Sequence, residues 1–260
     1  MSSKMGREVL RRLAGAAFVR DMELDLLKCA MTKNLGLVLY ENVQPMDVIG
    51  PWEVLAMWKN VLQAPIEMAL ISENGGLVKC DDNIVLNAHC TFDDCPDLDY
   101  LIVPGGRGRR EQVDNERLIA FIKTKAATAE KIISVCTGMF LLQKAGLLRN
   151  KSVTTYWRAL AELRSFKDLQ VAEERVVKSG NIWTTGGVSS GIDLAFELIA
   201  AIAGKEEAGR VQLLFEYFPK RTIYCDLKTS RSLPPYYDTK QPVPSKYIAD
   251  ILREEAAGQR

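Results

Sequence analysis

Apolar residues in this chain cluster into short unbroken runs separated by amphipathic stretches. Leu35-Gly-Leu-Val-Leu-Tyr40 carries no charge, the pattern of a strand buried on both faces of a parallel sheet. Ile66-Glu-Met-Ala-Leu-Ile-Ser72, Tyr100-Leu-Ile-Val103 and Ile132-Ile-Ser-Val135 extend the series. Between the first two runs Asp47 opens a helix, with Pro51 in its first turns and Trp52, Val54, Leu55 and Trp58 on apolar faces. Residues 77–88 fit two short hairpin strands after the Asn74-Gly-Gly76 turn, and a helix is predicted over 111–129. A short strand at 152–156, a helix over 157–166 and strands over 170–177 and 181–185 follow. Ser189 or Ser190 is placed to cap a long helix running through Ile202.

Strands that alternate with helices predict an α/β domain with a mostly parallel sheet covered on both faces. The organisation read from the pattern is an extension over 1–33, one domain over 34–218, and a polar, proline-rich tail over 219–260 with a helix at 245–255. The extension is basic and weakly amphipathic, as in a mitochondrial import signal. Asp21, Glu23 and Asp25 and the scarcity of serine point instead to a helical arm on a cytoplasmic chain.

Composition narrows the function classes. With 260 residues, 47% apolar and 26% charged, the chain is of ordinary globular type. A net charge of +1 implies no nucleic-acid partner, and no apolar run reaches the roughly 18 residues that would predict a membrane span. The six cysteines show no CxxC spacing, so no metal site is expected. Gly105-Gly106 is followed by Arg-Gly-Arg-Arg and is not a dinucleotide fingerprint. No cofactor is expected, and the arginines read as a phosphate contact or a solvated basic loop.

The candidate chemistry gathers where strands end. Cys136 sits where the Ile132–Val135 run stops and a helical pattern begins, with Gly138 allowing a sharp turn. A helix start there would favour the thiolate. Asp47 follows the first strand, either as an acid–base group or as a helix cap, and Gly105-Gly106 follows the third, either as N–H donors or as a plain turn. The single histidine, His89, lies far from the elbow in sequence, so a carboxylate is the expected proton partner of Cys136.

Six segments together resemble the ThiJ/PfpI superfamily from about Leu35 to Gly204. They are Asp47-Val-Ile-Gly-Pro-Trp-Glu-Val-Leu55, Asp99-Tyr-Leu-Ile-Val-Pro-Gly-Gly106, Val135-Cys-Thr-Gly138, Ala145-Gly-Leu-Leu148, Val153-Thr-Thr-Tyr-Trp157 and Thr185-Gly-Gly-Val-Ser-Ser-Gly-Ile-Asp193. The resemblance implies a flavodoxin-like three-layer sandwich with a nucleophile elbow, related to class I glutamine amidotransferases. It is strongest to the isocyanide hydratase branch and is shared with sensor domains of AraC-type regulators.

The same resemblance implies that Cys136 is the nucleophile and Asp47 the carboxylate beside it. It also implies that Gly105-Gly106, chiefly the Gly106 N–H, and Thr137 face developing negative charge, that Thr137 lies near the substrate, and that the chain forms a homodimer. Where other branches carry a histidine, this chain has Tyr156, and a phenol is not an imidazole base. The implied activity is hydration of a small-molecule isocyanide to an N-substituted formamide through a cysteine thioimidate. Two alternatives use the same thiol: a glyoxalase or deglycase acting on methylglyoxal, and a non-catalytic redox or ligand sensor. The two tryptophans of the helix after Asp47 fit either a dimer interface or burial in the core.

Overall fold

A computed structural model of the chain describes residues 32–219. Its strands are β1 (Lys33–Val38), β2 (Ile66–Ser72), β3 (Gly76–Lys79), β4 (Val85–Ala88), β5 (Cys90–Thr91), β6 (Tyr100–Val103), β7 (Lys131–Ser134), β8 (Ser152–Val153), β9 (Gln170–Val171), β10 (Val176–Ser179) and β11 (Ile182–Thr185). Its helices are α1 (Pro45–Val61), α2 (Arg109–Gln112), α3 (Glu116–Ala126), α4 (Met139–Lys144), α5 (Leu160–Leu163), α6 (Ser190–Ala203) and α7 (Lys205–Leu214). The predicted extension and tail, with the helix at 245–255, lie outside the described residues except for residues 32, 33 and 219.

Seven strands form the central sheet in the order β10-β11-β7-β6-β1-β2-β5. Every pairing in it is parallel except β10 with β11 at one edge. Leu35, Leu37, Leu101, Ile102, Ile132 and Ile133 on its central strands are each at most 2% exposed, as charge-free runs require when both faces are covered. From β1 the chain steps one way to β2, and from β6 it steps the other way to β7. With right-handed crossovers, α1 and α3 must therefore lie on opposite faces. The packing agrees: α1 lies against α6 and α7, whereas α3 lies against α4. Between β1 and β6 the strand order reverses, and the loops beyond their carboxyl ends are held together by Gln44 N–H donating to Gly105 O at 2.9 Å and Gly108 N–H donating to Asn42 O at 3.0 Å.

Of the two tryptophans after Asp47, Trp58 belongs to the core of the chain. Trp58 is 3% exposed and its indole N–H donates to Glu207 in α7 at 3.2 Å. Trp52 is half-buried and stacks on His89 with ring centroids 5.5 Å apart. Among the described residues no helix is long and apolar enough to cross a membrane.

Several boundaries differ from the sequence pattern. The helix predicted over 111–129 is two helices, α2 and α3, because the Asn115 side chain caps α3 by accepting from Leu118 N–H at 3.1 Å. The strand predicted over 170–177 is split between β9, which pairs with β8, and β10, which pairs with β11. The helix over 157–166 is a 3-10 turn at Trp157–Ala159 followed by the four residues of α5. Neither serine caps α6 with its side chain at the N-cap position; Ser189 Oγ instead accepts from Arg175 at 3.1 Å. Helix α7 is an addition to the predicted elements: Gly204, at φ 93°, ends α6 and starts α7.

Candidate active site

Cys136 occupies the junction of β7 and α4 at φ 58°, a left-handed conformation that a side chain makes costly. The surroundings hold it there. Its N–H donates to Gly186 O at 2.9 Å, and its carbonyl accepts from Thr155 Oγ1 at 2.8 Å. Next to it, Gly138 lies so close to the preceding strand loop that a β-carbon would sit 2.1 Å from Val103 O. The result is a buried thiol, 7% exposed, on the floor of a cavity of about 600 Å³.

Asp47 approaches from the first turn of α1 and is fully buried. It is not the helix cap, because Gln44 holds that place and accepts from Met46 N–H at 3.3 Å. One carboxyl oxygen, Oδ2, accepts from Gly105 N–H at 3.0 Å. The other, Oδ1, is buried without a hydrogen bond. Burying a carboxylate charge is costly, so this setting raises the pH at which Asp47 ionises.

Burial pushes the Asp47 carboxyl up to about 7, although Gly105 N–H, the Cys136 thiol and Val188 N–H pull it back. Burial also pushes the Cys136 thiol well above its usual range, and the Asp47 charge adds to this. Thr137, through its N–H and hydroxyl, and Val188 N–H oppose the rise. Two buried acids in contact cannot both ionise cheaply, so as pH rises past the first ionisation, near 7, the pair carries one negative charge on Asp47 and one proton on the more strongly raised thiol. This corrects the expectation that a helix start would by itself make Cys136 acidic. The helix that follows has only six residues after a 3-10 turn, and desolvation outweighs its dipole.

The glycine pair also differs from its expected role. Gly105 N–H is committed to Asp47, and Gly105 does not line the cavity. Gly106 does line it, but its N–H donates to Thr137 Oγ1 at 3.2 Å. An added β-carbon on Gly105 would come within 2.5 Å of Thr137 N, so the close approach of the two loops depends on that glycine. Thr137 and Tyr156 line the cavity with Cys136, and the Tyr156 ring lies against Gly187. His89 is exposed, does not line the cavity, and accepts from Leu70 N–H through Nδ1 at 2.8 Å. Among the described residues no group of three or more His, Cys, Asp or Glu is placed to hold a metal ion.

Val188 is the member that sequence reasoning missed. A β-branched residue at φ 50° is strained, and its N–H acts on both Asp47 and Cys136. The available signal was its place after Gly186-Gly187, at the carboxyl end of β11 beside β7. A main-chain donor leaves no mark in side-chain identity.

The sequence profile of the DJ-1/PfpI family matches residues 33–201. The chain belongs to the DJ-1/PfpI family. Isonitrile hydratase of Pseudomonas putida is 37% identical over 189 residues, covering 73% of this chain and 80% of its own length. A ThiJ/PfpI family protein of Pseudomonas syringae, known from its crystal structure, superposes with a TM-score of 0.68 at 25% identity over 87% of both chains. The HTH-type transcriptional regulator GbdR of Pseudomonas aeruginosa is 24% identical over 71% of this chain, which spans 51% of the regulator's length. The DJ-1/PfpI fold, a mostly parallel sheet flanked by helices, is the architecture implied by the motifs.

Proposed function

We propose that this DJ-1/PfpI protein is a hydro-lyase of the isocyanide hydratase type, working through Cys136 and Asp47. The observation that carries the reading is the Cys136 thiol lining the cavity against the fully buried Asp47 carboxyl, with Tyr156 rather than an imidazole on the wall. The similarity to isonitrile hydratase supports the same choice. Such a pair suits an isocyanide, whose terminal carbon accepts a nucleophile and a proton together.

In the first step the Asp47 carboxylate takes the Cys136 thiol proton, the sulfur forms a C–S bond to the terminal carbon of R–N≡C, and Asp47 gives the proton to that carbon. The neutral product is the thioimidate R–N=CH–S–Cys. In the second step the Asp47 carboxylate takes a proton from water as its oxygen adds to the same carbon, and that proton passes to nitrogen. Asp47 then takes the hydroxyl proton as the C–S bond breaks. The formamide R–NH–CHO leaves, and the departing thiolate takes the proton from Asp47, restoring the thiol and the carboxylate. The N–H groups of Thr137 and Val188 are assigned to the charge on sulfur and the adding oxygen. A glyoxalase reaction needs a base that moves a proton between carbons, and no histidine lines the cavity.

The pH profile tests the shared proton. The reactive form is the singly ionised pair, and it forms as pH rises through the first ionisation, near 7. For a neutral aryl isocyanide, kcat/KM is expected to rise about tenfold per pH unit below that point and to level off above it. A rate that falls as pH rises through 7 would count against the assignment.

A further inference from the structure

The cavity above Cys136 is lined by four arginines, Arg107, Arg109, Arg110 and Arg158, against two carboxylates, Asp81 and Glu162. Both carboxylates are already committed. Asp81, 4% exposed, accepts from Arg107 N–H at 3.1 Å and from its Nε at 2.7 Å. Glu162 takes the Arg109 guanidinium through both oxygens, at 2.7 and 2.5 Å, while that guanidinium lies 4.1 Å over the Phe140 ring. These two ion pairs tie the walls together and neutralise themselves.

Arg110 and Arg158 are left over. Both are exposed, and among the described residues neither side chain makes an ion pair or a hydrogen bond. They come from separate elements, α2 and the 3-10 turn ahead of α5, and meet at the same cavity. Arg158 lies 6.0 Å from the Trp157 ring, a contact that leaves its N–H donors available. The whole chain has a net charge of only +1, so two unpaired guanidinium groups at one cavity are a local concentration of charge. Guanidinium forks match carboxylate geometry, and a concave wall focuses the field toward the reacting sulfur.

We propose that Arg110 and Arg158 form a carboxylate subsite, and that the substrate of Cys136 carries a carboxylate beside its reacting group. The inference rests on the hydratase reading only in making that reacting group an isocyanide.

The test separates the two. Cys136 is alkylated with iodoacetate and, in parallel, with iodoacetamide, and the rates are read by peptide mass spectrometry. In both reactions sulfur displaces iodide, and only the reagent charge differs. The iodoacetate-to-iodoacetamide ratio at Cys136 is expected to exceed that of glutathione in the same buffer by about tenfold. It should fall toward the glutathione value in the Arg110→Ala/Arg158→Ala double variant, and in added salt. A wild-type ratio at or below that of glutathione, or one unchanged in the double variant, overturns the subsite. Turnover of para-isocyanobenzoate against its methyl ester gives the second reading, with the acid preferred. Equal or faster hydration of the ester also overturns the subsite. If neither compound is hydrated, the hydratase reading falls and the alkylation ratio alone decides the subsite.

Discussion

Asp47→Asn is expected to lower formamide formation by about 10²–10⁴-fold while making Cys136 more reactive toward iodoacetamide at neutral pH. The two effects have one cause. Asparagine can still accept the Gly105 N–H that now binds Oδ2, so the loop contact survives. It has no proton to give to the isocyanide carbon and cannot take one from water. It also carries no charge, and the Asp47 charge is the second-largest influence holding the thiol up, after burial. Without it the thiolate forms at lower pH. An ordinary structural lesion would reduce both readouts. Turnover within about threefold of wild type in this variant would remove Asp47 from the chemistry.

Gly138→Ala is expected to cost roughly 3 kcal/mol of stability and to abolish turnover in the protein that remains folded. The added methyl would lie 2.1 Å from Val103 O and 2.7 Å from Pro104 O, both main-chain atoms. Neither can rotate away, so β7, the elbow and the loop after β6 must separate, and that loop carries the Gly105 that holds Asp47. Gly209→Ala in α7 is the matched control, because its added carbon meets nothing within 4 Å. There the change should be neutral or slightly stabilising, since alanine suits a helix interior better than glycine. Urea midpoints of the two variants and wild type check the contrast; an unshifted midpoint in Gly138→Ala means the elbow is not packed in this way.

Most of the scaffold was legible because local pattern and tertiary setting agree. The strand at Ile66–Ser72 coincides with its predicted bounds, and the hairpin strands β3 and β4 fall inside the predicted stretch with one residue added. Errors arose where a side chain or a partner strand overrode the pattern. Asn115 breaks a helix that periodicity alone would continue, and the pairing of β9 with β8 cuts a strand that propensity alone would extend.

At the site, the grouping of Cys136 with Asp47 and Thr137 was legible because side-chain chemistry marks these residues. Their electrostatics were not. The helix-start argument for Cys136 used neighbours in sequence, whereas its pKa is governed by burial and by Asp47, which arrives from another element. Gly105-Gly106 reads either as a plain turn or, chiefly through Gly106, as N–H donors, and pattern alone does not show that in the fold Gly105 N–H goes to Asp47 and Gly106 N–H to Thr137. Arg158 was not singled out, because nothing local shows that it will share a cavity with Arg110.

Cys136 is assigned a covalent thioimidate whose fate Asp47 controls. The most direct measurement follows an aryl isocyanide with wild type and Cys136→Ala, assaying formamide and quenching samples in acid for peptide mass. Wild type should release formamide and show the Cys136 peptide heavier by one whole isocyanide, while Cys136→Ala stays at the protein-free background. Formamide released by Cys136→Ala at the wild-type rate would contradict the claim.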